Sequence, residues 1–546
     1  MSDQRLEALM GGYSIITALS QRSINEAMKK LIETHQDLTQ VDVHNRSGHK
    51  LTATIGLPLV SLKVKGASRA DLEYTCRLAS GNLHFSYFDD DGNLAPVDYD
   101  VKDWTVAFNV KIGAKVLEPQ DEGYDTAREA IQQPGDYSIE HLFIEFNEGE
   151  ITKPDPDRCD FNGTKLDQFE LLDFCSLLAL WYIVEGPTGD KPDSDKKKVH
   201  LTVGYGLQSR DPPTVIPPAP ELVPTSLRFQ TYEYKAPGQD DADEGILDGD
   251  NNALLYLQMT KDKPFPEPEI LPYTGNFTGS GIPGTMCICR DLFFEDYLLR
   301  VESPLLQMLN QTTYIWVKSH SVPNMHIPKY DIGVGDEGHG SDQTFFQYKA
   351  DLNNLLMWRF SPDAPTEQHI YDEMPGSGNA YNRLTIDCDT NNIVSAKPGT
   401  NTIDVAGKSN VTIKVDVGSS GWGGWYKIRA TLTWESQVTI TAGDKGLVLS
   451  LNVHDDTFKV ISPDPDWDIS GAGGITSDTI FEERDKVQQR IKDALRSNKL
   501  QDTEKKLQNE LATVARLVVP GQGTFSYRSP VFNNNGDLMI EIAYQD

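Results

Sequence analysis

Cysteine is scarce in this chain, and its cysteines are spread too widely to form a disulfide framework. Such frameworks are typical of short secreted domains, not of a chain of 546 residues. Two cysteines form a C-x-C pair inside an apolar run, but a zinc site would need a second pair of Cys or His at finger spacing, which the sequence lacks. We therefore predict buried thiols and no metal site. The cysteines are Cys76, Cys159, Cys175, Cys287, Cys289 and Cys388.

Basic residues are outnumbered by acidic ones. The chain has 50 Lys and Arg against 81 Asp and Glu, a formal net charge of −31. A surface this acidic repels phosphate, which argues against DNA or RNA as a partner. Adsorption to anionic lipid by charge alone is disfavoured for the same reason, so contact with lipid must come from apolar burial or from a local basic patch.

Long hydrophobic runs are also missing. The longest, from Phe174 to Val184, is too short to span a bilayer, so we predict no transmembrane segment. The N-terminal MSDQRLEALMGG lacks the basic region and apolar run of a secretory signal. We expect a soluble protein that is cytoplasmic or released by a route without a signal peptide.

Catalytic and cofactor-binding motifs are absent too. The sequence has no G-x-S-x-G elbow, no P-loop, no kinase signature and no H-E-x-x-H. Gly333 to Gly338 match G-x-G-x-x-G, but Pro328 precedes them, no apolar helix follows, and Asp336 and Glu337 would repel pyrophosphate. This segment is predicted to be a loop. No catalytic residue and no cofactor is predicted, which makes a hydrolase the least favoured of the functions that remain.

Two acidic segments resemble calcium loops in composition, Asp89 to Gly92 and Asp240 to Asp250. The first fails the spacing of an EF-hand, because the first ligand position falls on Tyr87. Solvated turns are favoured, and an adventitious calcium site stays open. His320, His326 and His339 share an irregular stretch with several carboxylates, which leaves a metal or acid–base role open in the same way.

What the sequence does contain is a helix among strands. The stretch from Cys287 to Asn310 begins as a strand, and Asp291 is suited to cap a helix with a carboxylate that accepts a backbone N–H. Ser303 and Pro304 then restart a helix, with proline at its first position. The apolar face of the two helices comprises Phe294, Tyr297, Leu298, Val301, Leu305, Met308 and Leu309.

A second helix is predicted near the N-terminus. Residues 13–19 look extended, and Ser23 with Glu26 forms a capping box. One face of the helix that follows, to Thr34, carries Ile24, Ala27, Met28 and Leu31. Near the C-terminus, Thr479 and Glu482 form a comparable box before another amphipathic segment.

Most of the chain alternates apolar and polar residues with a period of two, which predicts antiparallel strands and an α+β fold. The proline-dense segment 209–226 is predicted to be an extended spacer, although a proline-rich ligand for another protein is an alternative. We therefore predict an N-terminal module at 1–208, a linker at 209–226 and a C-terminal module at 227–546. A PDPD loop between a strand and a helix recurs in both halves, which suggests two related modules.

The N-terminal GGYSIITALSQRSINEAMKKLI resembles the opening of one protein family. This is the family of the forty-seven-kilodalton accessory protein and the OrfX proteins of clostridial neurotoxin gene clusters. The matching positions are Gly12, Tyr13, Ile16, Ala18, Ile24 and Asn25, with Tyr13 where a tryptophan is expected. The stretch from Arg290 to Leu309 resembles that family's mid-chain helix.

The family belongs to the tubular lipid-binding (TULIP) superfamily. The resemblance therefore implies long curved antiparallel sheets that wrap amphipathic helices, with an apolar groove that binds lipid or another apolar ligand. A toxin or a related accessory protein is an implied partner. The same apolar residues would equally suit a filled core in a protein-interaction component. The implied groove walls are Ile24, Met28, Leu31, Phe294, Leu298, Leu305 and Met308.

Overall fold

The structure is a computed structural model. It describes residues 4–34, 39–62, 71–88, 91–121, 124–125, 137–145, 154–155, 157–185, 202–209, 222–236, 249–299, 315–321, 329–334, 348–360, 367–373, 381–419, 422–443, 446–452, 458–470, 475–495, 518–519 and 523–544.

Helices make up the smaller part of the described chain. A 3₁₀ turn at Gln4–Glu7 is followed by α1 (Gln21–Thr34), α2 (Gln168–Ala179) and α3 (Ser477–Leu495). A π-helical turn, Leu180–Glu185, continues α2. The predicted mid-chain helix is a π-helix at Asp291–Leu298, called the π-helix below.

Strands dominate, and every pairing between them is antiparallel. The first twelve are β1 (Ile15–Ser20), β2 (Gln40–His44), β3 (Lys50–Ile55), β4 (Leu59–Leu62), β5 (Asp71–Phe88), β6 (Leu94–Asp100), β7 (Trp104–Leu117), β8 (Tyr137–Glu145), β9 (Thr202–Ser209), β10 (Pro224–Tyr232), β11 (Ala253–Thr260) and β12 (Gly284–Ile288). The others are β13 (Ile315–Ser321), β14 (Lys329–Val334), β15 (Tyr348–Asp351), β16 (Asn354–Phe360), β17 (Glu367–Glu373), β18 (Tyr381–Ala396), β19 (Thr402–Ser419), β20 (Trp422–Gly443), β21 (Gly446–Asn452), β22 (Phe458–Ile461), β23 (Asp466–Asp468), β24 (Val518–Val519), β25 (Gly523–Phe532) and β26 (Leu538–Tyr544).

The largest sheet has 15 strands and joins the two ends of the chain. Its order is β10-β11-β1-β12-β26-β25-β24-β9-β8-β7-β5-β3-β2, with β4 and β6 also paired to β5. A sheet of nine strands runs β15-β16-β18-β19-β20-β21, with β17 on β18 and with β22 and β23 on β20. A hairpin of β13 and β14 stands apart. Antiparallel sheets with few helices confirm the predicted α+β class.

Buried apolar side chains in the described part of the chain form three clusters. The largest extends from α2 past α1 and the π-helix to the inward residues of β20 and β21. A second lies where α3 and the β13–β14 hairpin pack on the other ends of β18, β19 and β20. In that region Val411, Ile413 and Val415 are buried while Thr412 and Lys414 are half-exposed, so the strand follows the period of two seen in the sequence.

Helix capping differs from the prediction by one turn at two sites. The Ser23 backbone N–H donates to Ser20 Oγ at 3.2 Å, so Ser20 is the cap of α1, and Ser23 Oγ instead donates to the Pro283 carbonyl at 2.6 Å. Likewise the Thr479 N–H donates to Thr476 Oγ1 at 3.2 Å. Ser23 and Thr479 were wrong as caps because a hydroxyl residue three positions earlier already fills that role.

The cap predicted at Asp291 was also wrong. Asp291 is the first residue of the π-helix, and its carboxylate accepts a hydrogen bond from the side chain of Arg290 at 2.9 Å. The Arg290 backbone N–H instead donates to Asp537 Oδ1 at 2.8 Å. A carboxylate from a distant turn therefore occupies the place that sequence analysis gave to a local one.

Parts of the predicted loop at 333–338 and of the predicted linker at 209–226 belong to strands. Gly333 belongs to β14, where the ring of Trp316 on the paired strand occupies the space of a Cβ, whereas residues 335–338 lie outside the described residues. Residues 224–226 of the predicted linker belong to β10, because their backbone pairs with β11. Residues 210–221 are outside the described part. The division into modules remains a prediction, although β1 is hydrogen-bonded between β11 and β12.

Candidate functional site

The candidate site is one face of the sheet formed by β11, β1, β12 and β26. Side chains alternate between the two faces of a strand, so every second residue points the same way. The face that joins the largest apolar cluster is called the inner face here, and its apolar residues are at most 2% exposed. They are Ile15, Leu19, Leu254, Tyr256, Met286, Ile288, Leu538, Ile540 and Ile542.

The opposite face of these strands is covered as well. It packs against the segment before β1 and the segment between β11 and β12, so this part of the sheet is sandwiched. Tyr13 lies there, and its hydroxyl donates to the Glu269 carbonyl at 2.7 Å. The inner face is therefore one side of a fully buried layer.

Two helices begin at opposite ends of the inner face. Helix α1 follows directly from the last residue of β1, and the π-helix starts shortly after the last residue of β12. The two strands are antiparallel, with Ile15 opposite Ile288 and Leu19 opposite Gly284. A helix therefore leaves from each end of the pair, and the apolar surface of β1 and β12 lies between them.

Helix α1 supplies one wall. The side chains of Ile24 and Met28 are buried in the same apolar cluster as the inner face. Leu31 lies in the helix, but its side chain is outside the described part of the structure.

Polar side chains fasten α1 to the free edge of β4. Asn25 Nδ2 donates to the Val60 carbonyl at 3.0 Å, and the Val60 N–H donates to Asn25 Oδ1 at 2.7 Å. One turn earlier, Gln21 Oε1 accepts a hydrogen bond from the Leu62 N–H at 2.8 Å. The helix thereby occupies the hydrogen-bonding positions that another strand would take, which protects the edge of β4.

The π-helix supplies the other wall. Phe294 and Leu298 are buried, and the Phe294 ring stacks on Trp358 of β16 with centroids 3.9 Å apart and planes 18° from parallel. Phe532 of β25 lies on another side of Phe294, at 5.6 Å. Leu305 and Met308, the remaining predicted wall residues, lie outside the described residues.

The π form of this helix is itself informative. The Leu299 N–H donates to the Phe294 carbonyl five residues back at 2.7 Å, the spacing of a π-helix. Such helices are rare, and they occur frequently at functional sites.

The structure thus brings together four of the seven predicted wall residues, Ile24, Met28, Phe294 and Leu298, in one apolar cluster. Sequence analysis missed Trp358 and the inner-face residues Thr17 and Tyr256. The strand Ala253–Thr260 is buried on both faces, so its sequence gave no alternation from which to choose the inward residues. Trp358 lies in β16, and its local sequence does not indicate that it stacks on Phe294.

The most suggestive polar constellation lies elsewhere, on the outer surface of β5 and β6. Asp98 Oδ1 lies 2.9 Å from His84 Nδ1, and His84 Nε2 lies 3.2 Å from Ser86 Oγ. Acyl transfer also needs N–H donors for the developing oxyanion. The Ser86 N–H, however, donates to His49 Nδ1, and the His49 N–H donates to Asn45 Oδ1, each at 3.0 Å. The arrangement is a cross-strand polar ladder.

The described residues contain neither a cluster suited to bind a metal ion nor a helix suited to span a membrane. No group of three or more His, Cys, Asp or Glu in the described ranges is placed to hold a metal ion. Burial raises the pKa of the Cys289 thiol to about 11, so this thiol is protonated at neutral pH and is a poor metal ligand in that state. None of the helices in the described ranges combines the length and the apolarity needed to cross a bilayer.

Comparison with known proteins gives a likeness of fold alone. No family model matches the sequence, and no curated protein matches it. P47 from Clostridium botulinum A2 is similar in structure, with 11% identity, a TM-score of 0.45 and coverage of 99% of both chains. P47 of Clostridium botulinum E1 is similar with 10% identity and a TM-score of 0.45, and the match covers 97% of this chain and 98% of that one. A lipopolysaccharide binding protein is similar with 9% identity and a TM-score of 0.28, and the match covers 98% of this chain and 99% of that one.

Proposed function

We propose that this chain binds lipid or another apolar molecule, without catalysing a reaction, between the inner face and its two helical walls. The observation that carries the proposal is the continuity of the apolar cluster. It contains the inner face, the buried side of α1 and the buried side of the π-helix, with both helices attached to one strand pair. The sequence resemblance described above supports the same function.

The energies of opening and filling this space are comparable. Moving the π-helix off the sheet would expose five large side chains, at about 1.5–3 kcal/mol each, or roughly 8–15 kcal/mol in all. Enclosing an acyl chain of about 16 carbons contributes roughly 12 kcal/mol, at about 0.8 kcal/mol per CH₂. A ligand that takes the place of the helix side chains would therefore bind reversibly. The five side chains are Leu292, Phe293, Phe294, Tyr297 and Leu298.

The first test is native mass spectrometry of the purified protein, followed by solvent extraction and identification of any released molecule. We expect lipid at a near-stoichiometric level, or uptake after incubation with mixed phospholipid vesicles. A mass that equals the bare chain before and after incubation would contradict lipid binding.

A surface variant controls for lipid that merely adsorbs. Leu352 is 92% exposed at the turn between β15 and β16. Leu352→Ser should leave the amount of bound lipid unchanged if the lipid lies inside the protein. Loss of lipid in this variant would place it on the surface instead.

A second candidate function is supported by exposed apolar side chains. Phe169 and Leu172 project from α2 with 75% and 49% of their surface exposed. Phe88 of β5 and Leu94 of β6 are paired with each other, with 72% and 59% of their surface exposed. Exposed apolar side chains mark a protein interaction site where they form one contiguous patch. We propose that a toxin or related accessory protein docks there if the interior is filled.

The test of this second function is co-expression with proteins encoded by neighbouring genes. A specific complex should be lost in the double variant Phe169→Ser and Leu172→Ser while the protein stays folded. A complex that survives this change would exclude the α2 surface as the docking site.

A further inference from the structure

Two hydroxyl groups lie in the middle of the inner face. Thr17 of β1 is directly opposite Tyr256 of β11, and Met286 of β12 lies on the other side of Thr17. Both Thr17 and Tyr256 are completely buried. Among the described residues, Thr17 Oγ1 and Tyr256 Oη have no hydrogen-bond partner.

Such groups are unfavourable in a closed apolar core. A buried hydroxyl without a partner has lost its bonds to water and received none in return. The apolar environment also raises the pKa of Tyr256 well above its ordinary value, so its hydroxyl keeps its proton and remains a donor. Valine and phenylalanine have nearly the same shapes and would remove this penalty, so packing alone does not account for the two hydroxyls.

Their position fits the proposed ligand site. Thr17 lies midway along β1. At one end of this strand Ser20 leads into α1, and at the other end Ile15 is opposite Ile288, the residue of β12 nearest the π-helix. The Tyr256 ring contacts Phe229 of β10, with centroids 5.1 Å apart, and is packed among apolar side chains. A ligand along the inner face would have apolar surface on both sides of this pair.

We infer that Thr17 and Tyr256 hold the polar group of the bound molecule, and that this group is an ester of an acyl lipid. The inference rests on the proposed function. Hydroxyls donate hydrogen bonds, and an ester presents oxygen acceptors without a charge. An ionised carboxylate in this apolar layer would be strongly disfavoured, since no cation is among the inner-face residues to offset its desolvation. A plain hydrocarbon would leave both hydroxyls without partners.

The test compares binding with stability in Thr17→Val and Tyr256→Phe. Binding is measured by displacement of the fluorescent probe N-phenyl-1-naphthylamine, with methyl laurate and dodecane as competitors. We expect each variant to bind methyl laurate about tenfold more weakly, which corresponds to about 1.4 kcal/mol, and to bind dodecane as the unaltered protein does. The ligand-free variants should be at least as resistant to urea as the unaltered protein, because each loses an unsatisfied group.

Tyr13→Phe is the matched control. Tyr13 is a buried tyrosine on the opposite face of the same sheet, and its hydroxyl has a partner, the Glu269 carbonyl. This variant should be less resistant to urea and should bind methyl laurate normally. The opposite signs of the two effects separate a ligand contact from an ordinary core contact.

Two outcomes would overturn the inference in distinguishable ways. If the variants bind methyl laurate as tightly as the unaltered protein, the hydroxyls do not contact the ligand, and lipid binding itself stands. If the unaltered protein binds neither methyl laurate nor dodecane, the proposed function fails and this inference fails with it.

Discussion

The two helical walls are held in place by different forces. Helix α1 is attached to β4 by hydrogen bonds between the Asn25 and Gln21 side chains and backbone groups, which fix both the distance and the orientation of the helix. The π-helix is held mainly by side chains. Phe294 packs on Trp358 and Phe532, Glu295 accepts a hydrogen bond from Trp358, Asp296 forms ion pairs with Lys261 and Lys263, and Asp537 binds the start of the helix. The backbone of a paired strand is fixed, whereas side chains can change rotamer. The comparison teaches that α1 is the wall tied to a strand backbone and that the π-helix is the wall we expect to move.

The two helices also differ in how much of their surface faces solvent. Helix α1 presents charged residues to solvent, including Lys29 and Glu33 as an ion pair one turn apart. The π-helix is short and mostly buried, so its conformation depends on tertiary contacts and hardly on its own sequence. A change in those contacts, such as entry of a ligand, would act on the π-helix first.

The largest effect should come from Phe294→Ala. Removing the ring that stacks on Trp358 leaves a cavity and should lower the free energy of unfolding by about 3–5 kcal/mol. Urea denaturation followed by tryptophan fluorescence measures this change. Phe169→Ala, at a phenylalanine that is 75% exposed, is the control and should cost far less. Equal losses in the two variants would show that the π-helix is not packed as described.

An intermediate effect is expected for Asn25→Ala. The substitution leaves the Val60 N–H and carbonyl without their side-chain partner and should cost about 2–3 kcal/mol of stability. The neighbouring variant Glu26→Ala changes an exposed residue and should alter stability by no more than about 0.5 kcal/mol. If Asn25→Ala is as mild as this control, the hydrogen bonds to β4 do not fix α1 and the contrast between the walls is lost.

The smallest effect concerns the unaltered protein. Amides of the π-helix should exchange with deuterium at least about tenfold faster than those of α1, a difference of about 1.4 kcal/mol in opening free energy. Hydrogen exchange measured by mass spectrometry on peptides that cover 21–34 and 291–299 gives the comparison. Added lipid should slow exchange in the π-helix more than in α1. Equal protection of both helices would mean that neither wall is the preferred point of entry.

Much of this architecture was predictable from local sequence. The N-terminal helix, the continuous alternation in β18 to β20 and the antiparallel class were all found. The caps were missed because Ser20 and Ser23, like Thr476 and Thr479, place two hydroxyl residues one turn apart. Glu26 and Glu482 made the later residue of each pair look like the start of a capping box. In the structure the earlier residue binds the first turn.

The site was harder to predict, for a physical reason. The spacing of Phe294, Tyr297 and Leu298 is that of an α-helix, yet the Leu299 N–H bonds five residues back to the Phe294 carbonyl, so local spacing did not reveal the π form. The roles of Asn25 and Asp537 depend on partners that are distant in sequence, namely Val60 and Arg290. Sequence patterns report which residues are buried, whereas the identity of the group they meet is a property of the folded chain.

The placement of β1 has a consequence for biosynthesis. Its partner β12 lies about 270 residues later, and Asn533 Nδ2 donates to the Ala8 carbonyl across 525 positions of sequence. At about 5–20 residues per second, a ribosome needs roughly 14–55 s to make the chain between β1 and β12. For most of that time an apolar strand with two open edges has no native partner, because its other neighbour, β11, also lies more than 230 residues later. Such a strand favours chaperone binding or aggregation. Strand β1 is therefore sheltered long after it is synthesised.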